Sequence, residues 1–460
     1  MKSRLVPSWV WQVLLAAHFV ALAWSLCTGS WIFPDSDRYQ QAAENLHVHK
    51  VLYARPWPGT VPRGKQVQEF TIRPPGYPLA LMALRGHQIP VYVLLAQNIL
   101  SLIVLLAILR WWAARYRPKT KEWVKVLVLI FSFPAQFIYA NALMSEILMQ
   151  GLLVATVGFA LLYLAAKSER FSWGSCVSLS MGLLVKPVLF PLAAVAAIAA
   201  AIQAWRHRRV SLLLVGLLPA AVTWSYMHWN EQRTGYFHFS SIAEINMLHY
   251  NAAGVVRQTR GAQAEEAWVM GVLREADGQP TFAARQKLIE TKSVAILIAH
   301  PFVYATQHLV GMGTFFLDPG RFDISQFFHV TAPVGGGLLN QIRSRGLVQA
   351  LGSLPLDMLG LLGVIAFANV ARLYLAVRGF RVLGRESTTW RKGRWVVAGT
   401  ILYVAFLTGP LGAARFMVPV WPLLLSLALA GMRPFGRQDL EAKPVAAVGD
   451  NQGQGRTKYG

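Results

Sequence analysis

Apolar runs long enough to cross a bilayer recur along this chain, separated by short stretches that carry most of its charge. A transmembrane helix needs about 20 predominantly apolar residues. On that measure, spans fall near residues 9–31, 90–112, 123–141, 147–166, 173–186, 188–205, 210–228, 354–377, 395–413 and 415–432. The pattern predicts an all-α polytopic membrane protein over residues 1–432, with about ten transmembrane helices. A polar, Gly-rich tail over 433–460 reads as cytoplasmic and disordered. Two larger segments between spans, 32–89 and 229–353, carry amphipathic stretches.

Two places break the simple pattern. The stretch from Ser172 to Trp205 is long and apolar but is interrupted by Lys186-Pro187. Proline breaks the backbone ladder, and a lysine at mid-bilayer is costly. Two short helices meeting at a polar turn are therefore expected, as where a broken helix lines a cavity. The stretch from Ser293 to Leu317 is apolar enough to span, yet it contains His300, Pro301, Gln307 and His308. Counting it as a span would move the basic cluster that follows the next span to the other side. It is expected instead as a buried or interfacial helix along the outer face.

Charge supplies the orientation. Lys and Arg total 44 against 21 Asp and Glu, a net +23. Such an excess can suit nucleic acid, but these residues sit in short clusters between apolar runs. The clusters are Arg110, Arg115, Arg117, Lys119 and Lys121; Lys167 and Arg170; Arg206, His207, Arg208 and Arg209; and Arg372, Arg378, Arg381, Arg385, Arg391, Lys392 and Arg394. Placed in the cytoplasm they let the chain alternate without conflict, and they favour anionic membrane lipids over nucleic acid. The segments 32–89 and 229–353 then face outward, into the periplasm of a bacterial inner membrane. Lys2 and Arg4 precede the first apolar run, which is too long for the core of a signal peptide, so it reads as a retained span. Cys27 and Cys176 lie far apart in apolar runs, which argues against a disulfide framework or a cysteine metal site.

Against this background a few ionisable residues stand out at the outer boundary. Asp35 and Asp37 follow the first span directly, with Tyr39 close behind. An acid so near the membrane carries a desolvation cost; capping the next helix is the plain structural explanation. Arg73 opens a rigid turn, Arg73-Pro74-Pro75-Gly76-Tyr77-Pro78, and an arginine there suits bidentate contact with phosphate oxygens. Glu146 lies at the turn between the third and fourth spans, Lys186 at the broken helix, and Arg415 at the start of the last span. Two acids and three bases at one depth, each from a different part of the chain, suggest a site that binds an anion and holds a carboxylate base. A lipid-linked phosphate is an anion naturally found at that depth.

These motifs resemble those of the bacterial membrane glycosyltransferases of the GT-C fold. That group includes the aminoarabinose transferases and relatives of the protein O-mannosyltransferases, which use polyprenyl-phosphate sugars. The resemblance covers roughly residues 1–435. It rests on the Asp35-to-Tyr39 motif, the Arg73-Pro74-Pro75 turn, Ser145-Glu146, Lys186-Pro187 with Leu189 and Pro191, and Arg415-Phe416 with Pro419 and Pro422. It implies an inverting transfer of a sugar from a polyprenyl-phosphate donor to an envelope glycan, glycolipid or protein acceptor. Asp35 would be the base, with Asp37 as helper. Arg73, Lys186 and Arg415 would bind the donor phosphate, and Glu146 and Tyr39 would orient the acceptor. Where the aminoarabinose enzymes have a Glu before the Pro-Pro motif's basic residue, this chain has Ile72, with Glu69 the nearest acid, so their metal site does not transfer.

No further metal motif is legible. His228, His238, His249, His300, His308 and His329 lie in or beside the second outer segment, and with a carboxylate they could hold a divalent cation, but their spacing matches no known pattern. Two other readings fit parts of the pattern: a polymerase or ligase for polyprenyl-linked glycans, which would use the long 229–353 segment, and a lipid-linked substrate transporter. Transporters often show internal repeats and midplane charges, and neither is found here.

Overall fold

The computed structural model describes residues 6–330, 346–352 and 355–433; among them are helices and turns but no strand. Lys2, Arg4 and the tail expected at 433–460, beyond its first residue, lie outside the described residues. In chain order the helices are α1 (Ser8–Thr28), α2 (Ser36–Val48), α3 (Gly76–Ala83), α4 (Pro90–Tyr116), α5 (Thr120–Phe131), α6 (Ala135–Ala140), α7 (Glu146–Ala166) and α8 (Glu169–Val185). There follow α9 (Phe190–His207), α10 (Val210–Thr234), α11 (Ile242–Asn246), α12 (Ala253–Arg260), α13 (Ala262–Asp277), α14 (Phe282–Ala299), α15 (Pro301–Leu317) and α16 (Arg321–Phe328). The longer helices after these are Leu356–Gly384, Thr388–Thr408 and Trp421–Gly431.

Eight stretches among the described residues are long and apolar enough to cross a membrane, or nine if α14 and α15 count as one broken span. At about 1.5 Å per residue, the 21 residues of α1 reach about 31 Å, the thickness of a hydrocarbon core. Two of the expected spans are not among the helices long enough to cross. The 123–141 stretch divides at Ser132-Phe133-Pro134 into the 12-residue α5 and the 6-residue α6, because Pro134 cannot continue the ladder. The 173–186 stretch becomes the 17-residue α8, which starts at Glu169.

The bundle has a centre and a rim. The Ala414–Gly431 stretch is 89% buried, against 28% for α1, so the last span forms the core. Phe19 on α1, Ile198 on α9 and Phe367 on the Leu356–Gly384 helix lie exposed, as a lipid solvent requires. The last helix meets the Leu356–Gly384 helix through glycines. A Cβ on Gly379 would strike the Leu427 carbonyl, and one on Gly431 the Leu375 carbonyl. Such small-residue contacts let membrane helices approach closely.

Three expectations meet their test here. The break at Lys186-Pro187 is present: α8 ends at Val185, Lys186 is extended, and a short 3-10 turn over Pro187–Leu189 leads into α9. The stretch 293–317 is not one helix. It belongs to α14 and α15, which bend by 99° across His300, since the proline at 301 disfavours helical backbone in the residue before it. Arg372 leaves the cytoplasmic cluster. It is buried within its helix, donates to Ser132 Oγ at 2.7 Å, and stacks over Trp421 and Phe133. The aromatic faces offer it a cation–π environment in place of water.

Candidate active site

Asp35 stands at the N-cap of α2, where a carboxylate ordinarily accepts from a first-turn N–H. Its side chain makes no such bond. It turns instead to two guanidinium groups: Arg73 Nη2 donates to Oδ1 at 2.5 Å and Arg415 Nη2 to Oδ2 at 2.7 Å. The plain capping explanation fails for Asp35, and Glu146, the first residue of α7, turns to cations as well. Its Oε1 accepts from Lys186 Nζ at 2.7 Å and from Arg415 Nε at 2.6 Å. Arg415 therefore joins the two carboxylates, and five side chains from separate elements form one ionic chain: Arg73, Asp35, Arg415, Glu146 and Lys186.

Local sequence explains how each arrives. Pro74 and Pro75 hold the Arg73 turn rigid, and Gly76 presses it against the end of α8. A Cβ at Gly76 would lie 2.7 Å from the Leu184 carbonyl oxygen and 2.9 Å from a Val185 methyl. That contact sets the Arg73 turn beside the Lys186 break. On the other side, Gly311 of α15 packs on Gly409 and Gly412, the turn that leads into Arg415. Beneath the cluster lies a layer of buried amides. Gln150 donates to the Val418 carbonyl at 2.5 Å and to Gln136 at 2.8 Å, and Gln97 donates to the Ala142 carbonyl at 2.8 Å. Tyr39 braces the near side: its hydroxyl bonds with Ser145 Oγ at 3.0 Å, and Arg73 lies 4.9 Å above its ring.

The electrostatics are asymmetric. Three cations face two carboxylates, a surplus of one positive charge. Glu146 is fully buried, whereas the side chains of Asp35 and Arg415 are each 22% exposed, so these two form the accessible edge. Burial alone would raise the Asp35 carboxyl, but Arg73 and Arg415, with Lys186 further off, outweigh it and hold the group well below the usual carboxylate range. Two buried atoms in the cluster lack hydrogen-bond partners, Glu146 Oε2 and Arg73 Nε.

Not every expected residue joins. Asp37 is exposed and takes part in no ion pair among the described residues. Glu69 is buried near Arg38 and Arg55, each at 3.5 Å, outside the cluster. The histidines are scattered over separate contacts: His228 near Glu231, His238 on Thr71, His308 on the Phe406 carbonyl and His329 on Ser30. Among the described residues, no three His, Cys, Asp or Glu side chains come close enough to hold a metal ion.

Two acids that sequence reasoning passed over sit against the cluster. Asp318 accepts from the backbone N–H of Ala414, next to Arg415, at 2.8 Å. Asp323 accepts from the Tyr139 hydroxyl at 2.7 Å. Both line a small cavity of about 10 Å³, room for about one water. Burial, with Asp318 beside it, pushes Asp323 up to about 7, the Tyr139 hydrogen bond working the other way. The signal was present: Asp318-Pro319-Gly320 follows an apolar run directly, and Asp323 comes three residues later.

No protein-family model and no curated protein sequence matches the chain. Among solved structures it is similar to ArnT from Cupriavidus metallidurans bound to undecaprenyl phosphate, at 15% identity and a TM-score of 0.37, over 91% of this chain and 76% of that one. The apo form of the same protein aligns at 13% identity and a TM-score of 0.35 over the same shares.

Proposed function

We propose that this chain is an inverting glycosyltransferase that moves a sugar from a polyprenyl-phosphate donor to an envelope glycan, glycolipid or protein acceptor at the outer face of a bacterial inner membrane. The supporting observation is the shared grip of Arg73 and Arg415 on Asp35, inside a cluster with a surplus positive charge. An acceptor hydroxyl attacks the anomeric carbon, the bond from that carbon to the phosphate oxygen breaks, and the configuration inverts. The electron pair leaves with the lipid phosphate, and the hydroxyl proton passes to Asp35. Arg73, Lys186 and Arg415 stabilise the phosphate charge, which grows toward the transition state.

The resting ion pairs fit this cycle. A carboxylate clamped by two guanidinium groups is a weak base. A phosphate docking on Arg73 and Arg415 competes for those same donors, relaxes their hold on Asp35 and raises its basicity as the donor arrives. Glu146, fully buried, keeps Lys186 and Arg415 in place while this exchange occurs.

The test is transfer by the purified protein, with radiolabelled polyprenyl-phosphate sugars and envelope extracts as acceptor. Asp35→Asn should lower kcat by at least a thousandfold while the protein stays folded. Near-normal turnover by that variant would remove the proposed base. Uptake of donor into vesicles with no covalent product would favour transport instead.

A further inference from the structure

A cavity of about 180 Å³, larger than the one beside Asp323, lies at the end of the bundle away from the ionic cluster. Tyr163, Lys167, Glu169, His207, Arg209 and Leu212 line it. Glu146 of the cluster begins α7 and Lys167 follows the last residue of that helix, so the 21 residues of α7 hold the two about 31 Å apart. Lys186 and Glu169 likewise stand at opposite ends of α8. The cavity sits where two helical hairpins, α7–α8 and α9–α10, end together, with α10 packed against both α8 and α9. By the orientation of the basic clusters this is the cytoplasmic boundary.

The lining suits an anion. Arg209 pairs with Glu169 at 3.1 Å, so the carboxylate is already engaged. Lys167 meets no carboxylate among the described residues; its ammonium lies 5.4 Å from the centre of the Tyr163 ring. His207 brings a further ring nitrogen, and Arg206 and Arg208 stand exposed beside it. The backbone singles out the same two turns. Lys167 ends α7 at φ 55° and Arg208 ends α9 at φ 53°, a left-handed conformation that ordinarily selects glycine. Each turn accepts that strain and keeps a cationic side chain. Charge asymmetry across the membrane explains basic residues within a loop, but not a cavity between two loops.

Position identifies the occupant. The cavity lies at the ends of membrane helices, and Trp205 before the α9–α10 turn and Val210 after it are both exposed. Apolar chains attached to the anion would lie along such faces, whereas a soluble anion gains nothing from them. A zwitterionic headgroup is disfavoured, because its ammonium would meet Lys167 and find the one lining carboxylate held by Arg209.

We infer that this cavity seats the phosphate of an anionic phospholipid of the inner leaflet, held by Lys167, His207 and Arg209, so that the headgroup joins the two hairpins. Basic pockets between membrane helices at this boundary suit such headgroups. The site stands apart from sugar transfer and does not depend on it.

Native mass spectrometry of the full-length protein in detergent tests it, with three probes: phosphatidylglycerol, phosphatidylcholine of the same acyl chains, and inorganic phosphate. The wild type should retain phosphatidylglycerol at least fivefold above phosphatidylcholine. That preference should be lost in Lys167→Gly, which removes the cation and gives the left-handed turn the residue it ordinarily selects, and weakened in His207→Gln. Lys121→Gln, in a different basic cluster, should keep it. No preference in the wild type, or an undiminished one in Lys167→Gly, overturns the site. Equal loss in Lys121→Gln also overturns it, since diffuse attraction to basic loops would then suffice. Displacement of phosphatidylglycerol by inorganic phosphate would overturn the lipid as occupant. Undecaprenyl phosphate should bind Lys167→Gly as it binds the wild type; failure of the wild type to bind it would sink the donor reading alone.

Discussion

Glu146 and Asp35 are both acids in one ionic chain, yet they differ in kind. Glu146 is fully buried and holds two cations, and removing one partner of a buried pair costs about 3–5 kcal/mol. Glu146→Gln should therefore lower the thermal unfolding midpoint by several degrees, and Asp35→Asn, at the exposed edge, by much less. Fluorescence-monitored melting in detergent separates them; equal losses would mean that Glu146 is not the structural member. Asp323 gives a prediction about pH. Its folded-state value, about 7, is raised above that of a free carboxyl. The folded state then binds more protons than the unfolded one between about pH 4 and 7, so the contribution of Asp323 to stability is lost as pH rises through that window. Asp323→Asn keeps a carbonyl oxygen for the Tyr139 hydroxyl and carries no charge. Its stability should gain on the wild type from about pH 5 to pH 8 by an amount on the order of 1–4 kcal/mol, read as a rise in its melting midpoint relative to the wild type; parallel curves would refute the shift.

At the scale of elements, turns and close approaches matter more than helix faces. The Arg73 turn and the Lys186 break meet because Gly76 has no side chain. Gly76→Val should push α3 away from α8 and lower transfer by at least tenfold, more through donor KM than through unfolding. A variant with unchanged KM would show that the turn does not place Arg73. Much of this was legible in the chain. Lys186-Pro187 announced a broken helix because neither residue suits mid-span, and the five charges stood out because lipid-facing sequence excludes such residues. What escaped was carried by elements that pattern alone misjudges. His300-Pro301 stood out in the apolar run, but the 99° bend across it and the Asp318–Asp323 turn beyond it did not. Arg372 read as a loop charge because its partners Ser132, Phe133 and Trp421 come from distant parts of the chain.

For the whole molecule, the fold amounts to a buried last span ringed by lipid-facing helices, with the ionic chain at one end and residues 32–89 and 229–330 folded about that end. Arg415 begins the buried span, so the charge that joins the two acids is anchored in the most buried part of the bundle. The account's central claim is that this cluster recognises the phosphate of a membrane-embedded lipid. The direct measurement is native mass spectrometry of the detergent-purified protein with undecaprenyl phosphate and, in parallel, undecaprenol. The account predicts retention of the phosphate at least tenfold above the alcohol, and loss of that preference in Arg73→Gln; equal retention of both lipids by the wild type would contradict it.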